Sequence, residues 1–213
     1  MKKFLTLALT CFTLYSAAQS RTPVFGFKTA LSFNPTVLAA TDNTAMIGAE
    51  QRLKNRLALV LDAGYVFSTY YMTNDALKGT SGFTFRPGLK LYEKGMHGFF
   101  QFQVSYKQVD YKMEDWLGKD CVDNVATYEK FQEFIYRKKT LSFNALAGEL
   151  FRLSDAVMLE LYAGIGMKIK NQRPAEERAC YRNTENGIIF SPFRDHYNTI
   201  NAPVGIKLMV AIK

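Results

Sequence analysis

The chain has 213 residues, of which 22% are charged and 48% hydrophobic, and a formal net charge of +8. That length allows one domain with a core or a closed barrel. No Lys or Arg run exceeds Arg137-Lys138-Lys139, so nucleic acid is not an expected partner, and anionic lipid headgroups suit the mild positive balance better.

The first residues, MKKFLTLALTCFTLYSAAQS, place Lys2 and Lys3 before an apolar run from Phe4 to Leu14 and then Ser16-Ala17-Ala18. This is the three-part layout of a secretory signal peptide, and it predicts a leader over residues 1–18 cut after Ala18, with one domain over 19–213. The apolar run is shorter than the roughly 20 residues a helix needs to span a bilayer. Cys11 is lost with the leader, and removal of Lys2 and Lys3 lowers the formal charge from +8 to +6.

Beyond the leader the pattern is period two, the mark of strands with unlike faces. Phe25, Phe27, Leu31 and Phe33 alternate with Gly26, Lys28, Ala30 and Ser32, and Ala45, Ile47 and Ala49 with Met46, Gly48, Glu50 and Arg52. Leu57, Leu59, Leu61, Ala63, Tyr65 and Phe67 alternate with Arg56, Ala58, Val60, Asp62, Gly64 and Val66. Five further runs start near Phe83, Phe100, Leu141, Val157 and Ala202, so eight strands are predicted. Short turns fall at Lys54-Asn55, Lys94-Gly95 and Ser154-Asp155. The other links are longer: one near Thr41-Asp42-Asn43, then 73–81, 113–132 and 171–195. Three tight turns at one end and four longer loops at the other predict an all-β fold, an eight-stranded antiparallel up-and-down transmembrane β-barrel.

Alternation alone does not say which face is inside, since a soluble lipocalin-like barrel has its apolar face inward. The polar face carries Gly26, Gly48, Gly64, Gly88, Gly148, Gly164, Gly166 and Gly205, and small residues are what a narrow eight-stranded lumen needs. The polar face is therefore expected inside. On it lie Lys28, Glu50, Arg52, Asp62, Arg86, Lys90, Lys107, Glu160, Lys168 and Lys207. Charges of both signs allow paired clusters, and a lone buried carboxylate is costly, so Asp62 is expected to pair with Arg52, Arg86 or a neighbouring Lys. The lumen ion-pair network is read as Glu50, Arg52, Asp62, Arg86, Lys90 and Glu160. Aromatics near strand ends on the apolar face match the girdles of a membrane barrel.

Through "MIGAEQRLKNRLALVLDAGYVF", "GFTFRPGLKLY" and "LELYAGIGMKIK" the chain resembles small outer-membrane β-barrel proteins of OmpA/OmpX-like size, especially the barrel-domain proteins common in Bacteroidetes-type bacteria. The resemblance implies residence in the bacterial outer membrane, with its lipids, lipopolysaccharide and assembly machinery as partners. Such barrels usually end in an aromatic residue, whereas this chain ends Met209-Val210-Ala211-Ile212-Lys213.

Some barrels of this kind modify lipid A. The histidines are His97 and His196, the latter within Asp195-His196-Tyr197 and near Ser191, but no spacing fixes a Ser-His-acid geometry, so no catalytic residue is assigned. Tyr128, Phe131, Phe134 and Ile135 fall at helical spacing and predict a short amphipathic turn in the third long loop. Arg173, Arg178, Arg182 and Arg194 accompany the apolar "GIIFSPF" in the fourth, where they are candidates for lipopolysaccharide phosphates or surface partners. Cys121 and Cys180 have no CxxC or His pattern, so no metal or other cofactor is expected, and export favours a disulfide that staples the two loops. The leading expectation is a non-enzymatic outer-membrane barrel with an envelope-structural or surface-binding role. The alternatives are a soluble periplasmic binder of a small apolar ligand and a lipid A-modifying enzyme.

Overall fold

The computed structural model describes residues 27–212 apart from 55, 71–75, 95–96, 123–124, 178 and 181–195. The expected leader, Phe25 and Gly26 lie outside the described residues. The strands are β1 (Thr29–Phe33), β2 (Asp42–Lys54), β3 (Leu57–Thr69), β4 (Leu77–Tyr92), β5 (Gly98–Lys119), β6 (Tyr128–Arg152), β7 (Val157–Pro174), β8 (His196–Asn201) and β9 (Val204–Ile212). One 3-10 turn, Pro35–Ala39, joins β1 to β2. Among the described residues no helix is long and apolar enough to cross a membrane.

Neighbours run β6-β5-β4-β3-β2-β1-β9-β7, and β7 pairs back onto β6, so an antiparallel sheet closes into a ring of eight strands. The eighth position is shared, because β9 lies along Val157–Ala163 of β7 and β8 along Gly166–Asn171. The break between them falls at Ala202-Pro203, where proline has no N–H for a ladder. Gly164 closes the gap by donating its N–H to the Pro203 carbonyl at 2.8 Å. Short β1 covers only the lower part of β9, and the 3-10 turn covers more, with the Ile206 N–H donating to Thr36 Oγ1 at 3.3 Å.

The strand ends joined by the β2–β3, β4–β5 and β6–β7 links lie at one end of the ring, and those joined by the β1–β2, β3–β4, β5–β6 and β7–β8 links at the other. Strand β3 shows how the faces are assigned. Leu57, Leu59, Leu61, Tyr65 and Phe67 are exposed on the outside, while Ala58, Val60, Asp62 and Val66 are buried inside.

Two expectations are corrected. Phe27 does not join the outward row: it is buried inside, because regular pairing starts only at Thr29 and the pleat's alternation does not extend back to it. The helical turn expected at Tyr128, Phe131, Phe134 and Ile135 is strand instead, since the β5–β6 ladder runs unbroken to Lys119 opposite Tyr128. Much of the expected loop 113–132 is therefore a two-stranded extension beyond the ring's other strands.

Candidate functional site

The interior is built in layers from the tight-turn end. At the bottom Phe27, Tyr92, Phe99, Leu150, Met158 and Met209 form an apolar cluster. Into it projects Lys90, fully buried, whose Nζ donates to Glu50 Oε2 at 2.7 Å and to Glu160 Oε2 at 2.5 Å. The Tyr92 hydroxyl donates a hydrogen bond to the other Glu50 oxygen, and the Arg52 guanidinium lies 4.0 Å from the centre of the Phe27 ring. Lys90 itself lies 4.4 Å from the Phe99 ring centre, so its charge meets two carboxylates and an aromatic face.

One layer up, Lys207 Nζ reaches Asp62 Oδ2 at 2.8 Å, and both side chains are buried. The link passes over β1 and β2, and Gly48 on β2 makes room for it. A Cβ at Gly48 would stand 2.1 Å from Asp62 Oδ1 and 2.6 Å from Ser32 Oγ. Of the three partners expected for Asp62, a lysine supplies the contact. Arg86, its register neighbour on β4, makes no ion pair among the described residues, and Arg52 belongs to the layer below.

The third layer centres on Asp42, a residue the sequence reading left in a loop. It accepts from Lys138 at 2.8 Å and Lys107 at 3.2 Å, and the hydroxyls of Tyr111 and Thr69 each donate to Oδ1 at 2.9 Å. Arg86, Lys168 and Lys170 occupy inward positions of the neighbouring strands. Above them Val66, Tyr111, Met113, Leu117, Phe134 and Tyr136 form a second apolar cluster that roofs the ring on the long-loop side.

The outer surface changes character at the same height. Along β5 the outward residues are Phe100, Phe102, Val104 and Tyr106, followed by Gln108, Asp110, Lys112 and Glu114. Arg137 Nε and Nη2 bind the two Asp110 oxygens at 2.7 Å each, and Lys112 meets Glu133 at 2.8 Å. Tyr65 stands opposite Phe83 and Phe85 opposite Tyr106, a row of aromatics just below this charged belt. Arg173 is exposed beside Arg137 in that belt, while Arg178, Arg182 and Arg194 lie outside the described residues.

Cys121 and Cys180 form a disulfide with Cα atoms 6.0 Å apart. Reciprocal backbone bonds between Gly118 and Cys180, at 3.0 and 3.1 Å, hold the strap from β7 against the β5–β6 extension. Lys119 and Gln132 both donate to Glu176 of that strap, and Lys119 holds its carboxyl below the ordinary carboxylate range. The backbone of His196 is placed opposite Asn171, whereas Ser191 and Asp195 lie outside the described residues. No group of His, Cys, Asp and Glu suited to a metal ion occurs among the described residues.

Sequence reasoning missed Asp42, Lys138 and Tyr92 as interior groups. Lys138 lies at an even position of β6, so carrying the alternation of Ser142 and Asn144 four residues further would have found it. Comparison with known proteins returns no matching family, curated relative or solved structure.

Proposed function

We propose that this chain is a non-enzymatic integral outer-membrane protein, a transmembrane β-barrel related in design to the OmpA/OmpX-like size class, with a filled polar lumen and disulfide-stapled surface loops. Its role is structural in the envelope or adhesive at the cell surface. The observation that carries this reading is an inversion of faces along β5. On β5 the lower part has Phe100, Phe102 and Val104 outside and Gln101, Gln103 and Ser105 inside. The upper part has Asp110, Lys112 and Glu114 outside and Val109, Tyr111 and Met113 inside. A strand that stays in water has no reason to exchange its faces. One that leaves a bilayer and continues into water must do so.

The dimensions support the same reading. The outward apolar row of β3, Leu57 to Phe67, extends about 33 Å along a strand, which at a tilt near 40° covers about 25 Å, the height of the apolar band on outer-membrane barrels. Ring closure pairs the strand backbones with one another, as a lipid surround demands. A water-borne binding barrel would need the apolar row inside, where Lys90, Glu50, Glu160, Asp62 and Lys207 instead stand. Exposed Arg173 and Lys139, at the top of the band, are positioned for phosphates of lipopolysaccharide in the outer leaflet.

The test is expression with the leader in a Gram-negative host, followed by fractionation and gel migration of unheated and boiled samples. A heat-modifiable band in the outer-membrane fraction is expected. A soluble periplasmic protein whose migration ignores heating overturns the proposal.

A further inference from the structure

Between the lower and upper apolar clusters, the inward-facing charges do not balance. Arg86, Lys107, Lys138 and Lys168 enter this space from four adjacent strands, β4 to β7, and the carboxylate that meets them among the described residues is Asp42. Asp42 is already shared by Lys107 and Lys138. Lys168 has no ion pair among the described residues, and neither does Arg86, whose Nε is shielded from solvent with no hydrogen-bond partner. The cations also act on one another: Lys168 lies within electrostatic reach of Lys170, Arg86 and Lys138, and Lys107 within reach of Lys138 and Arg86.

The wall between the two unpaired cations is lined with hydroxyls. Ser105 is opposite Ser142, and Ser142 is opposite Lys168. The pairing of Phe85 with Tyr106 puts Arg86 beside Ser105. One inward row of the ring therefore reads Arg86, Ser105, Ser142, Lys168, and both serines are buried. Two cationic donors flanking two hydroxyl donors is a set that matches the oxygens of a tetrahedral or planar oxyanion. Below this row Gln101, 3% exposed, has both amide atoms without a partner, and its Nε2 stands 2.9 Å from where a Gly88 Cβ would be. Gly88 is the next inward position after Arg86, so Gln101 extends the same donor-rich wall downward.

We infer that the ring encloses a binding site for a small oxyanion, of the phosphate or carboxylate class, held by Arg86 and Lys168 with Ser105 and Ser142. The narrow interior of an eight-stranded ring limits the ligand to a small anion or a single headgroup phosphate. The site lies between the apolar clusters below and above, where charge neutralisation by the ligand replaces repulsion between the cations. This inference rests on the inward faces alone and does not require that the ring crosses a membrane.

The test uses residues 19–213 refolded in an amine-oxide detergent, which carries no phosphate. Inorganic phosphate is titrated by calorimetry at constant ionic strength against chloride. Saturable one-site binding is expected in the wild type, together with a rise in the unfolding midpoint. Arg86→Met and Lys168→Met are each expected to weaken binding roughly tenfold or more, and Lys112→Met, on the outer charged belt, is expected to leave it unchanged. If the natural ligand is a lipid phosphate, folding into phospholipid vesicles abolishes the phosphate titration seen in the phosphate-free detergent. If it is a free anion, the titration persists in both.

No saturable binding by the wild type overturns the site, and so does equal binding by the Arg86 and Lys168 variants. Should those variants fail to close, Arg86→Lys and Lys168→Gln replace them, and the wild-type titration decides independently. Heat-modifiable migration is scored on the same samples, so a failure of the barrel reading is seen separately from a failure to bind.

Discussion

Lys90 shows how the interior depends on complete sets of charges. Its ammonium sits with no solvent exposure between Glu50 and Glu160, so removing it leaves two carboxylates facing each other in a water-poor layer. Lys90→Met is expected to destabilise the folded protein by about 3–5 kcal/mol, the usual cost of leaving a buried charge without its partner. The triple variant Lys90→Met, Glu50→Gln, Glu160→Gln is expected to recover most of that loss. Urea unfolding in detergent, followed by tryptophan fluorescence, measures both, and a triple variant no better than the single one would contradict the account. Gly48→Ala makes a second, steric test. Its methyl must occupy the place of the Asp62 carboxylate, so a cost of about 1–3 kcal/mol is expected. Gly79→Ala has nothing within 4 Å of the added carbon and is expected to be near neutral in the same assay. The partner of Asp62 could not be named from sequence for the same reason. Lys207 lies on β9, which the topology brings near β3 only across the interior, past two intervening strands and over a glycine on one of them.

At the scale of the element, the tight turns and the alternation of β3 and β9 were legible because one face is apolar along nearly its whole length. The β5–β6 extension was not. There Phe131 and Ile135 point outward while Phe134 and Tyr136 point inward, so apolar residues occur on both faces and period two disappears. What remains of the pattern, Tyr128, Phe131, Phe134 and Ile135, falls at helical spacing by coincidence. Asp42 was lost differently, because a polar Thr-Asp-Asn run resembles a turn until its carboxylate is seen to hold two lysines. The disulfide ties this extension to the strap at Cys180 and closes 59 residues of sequence, which in the chain-entropy account is worth about 4 kcal/mol. A Cys121→Ser, Cys180→Ser variant is expected to keep the closed ring, since the ring's own pairings do not involve either residue. It should lose hydrogen-exchange protection at the amides of Gly118 and position 180, where the backbone bonds rely on the staple. Loss of protection throughout β3 and β4 would show instead that the staple supports the whole fold.

The whole molecule poses one question that no single residue decides: which solvent the outer surface meets. Leu61 lies near the middle of the outward row of β3 and is 40% exposed, with Leu59 and Ala63 on either side of it in that row. In water, Leu61→Arg exchanges an exposed apolar group for a solvated cation and should be neutral or favourable to solubility. In a bilayer the same arginine stands near the midplane, where about 2–4 kcal/mol is the usual cost on a barrel's lipid face. The expectation is the second, read as a reduced folding equilibrium into phospholipid vesicles relative to wild type. Glu133→Arg supplies the contrast, because its position lies in the charged belt beyond Tyr106 and already meets Lys112. It exchanges an exposed ion pair for an exposed pair of like charges that water screens, at a cost of about 1 kcal/mol. The difference between the two positions, rather than the size of either effect, locates the boundary of the bilayer. If Leu61→Arg costs no more than Glu133→Arg, the apolar row faces water, and the inversion of faces along β5 must be explained by a partner that covers the lower ring.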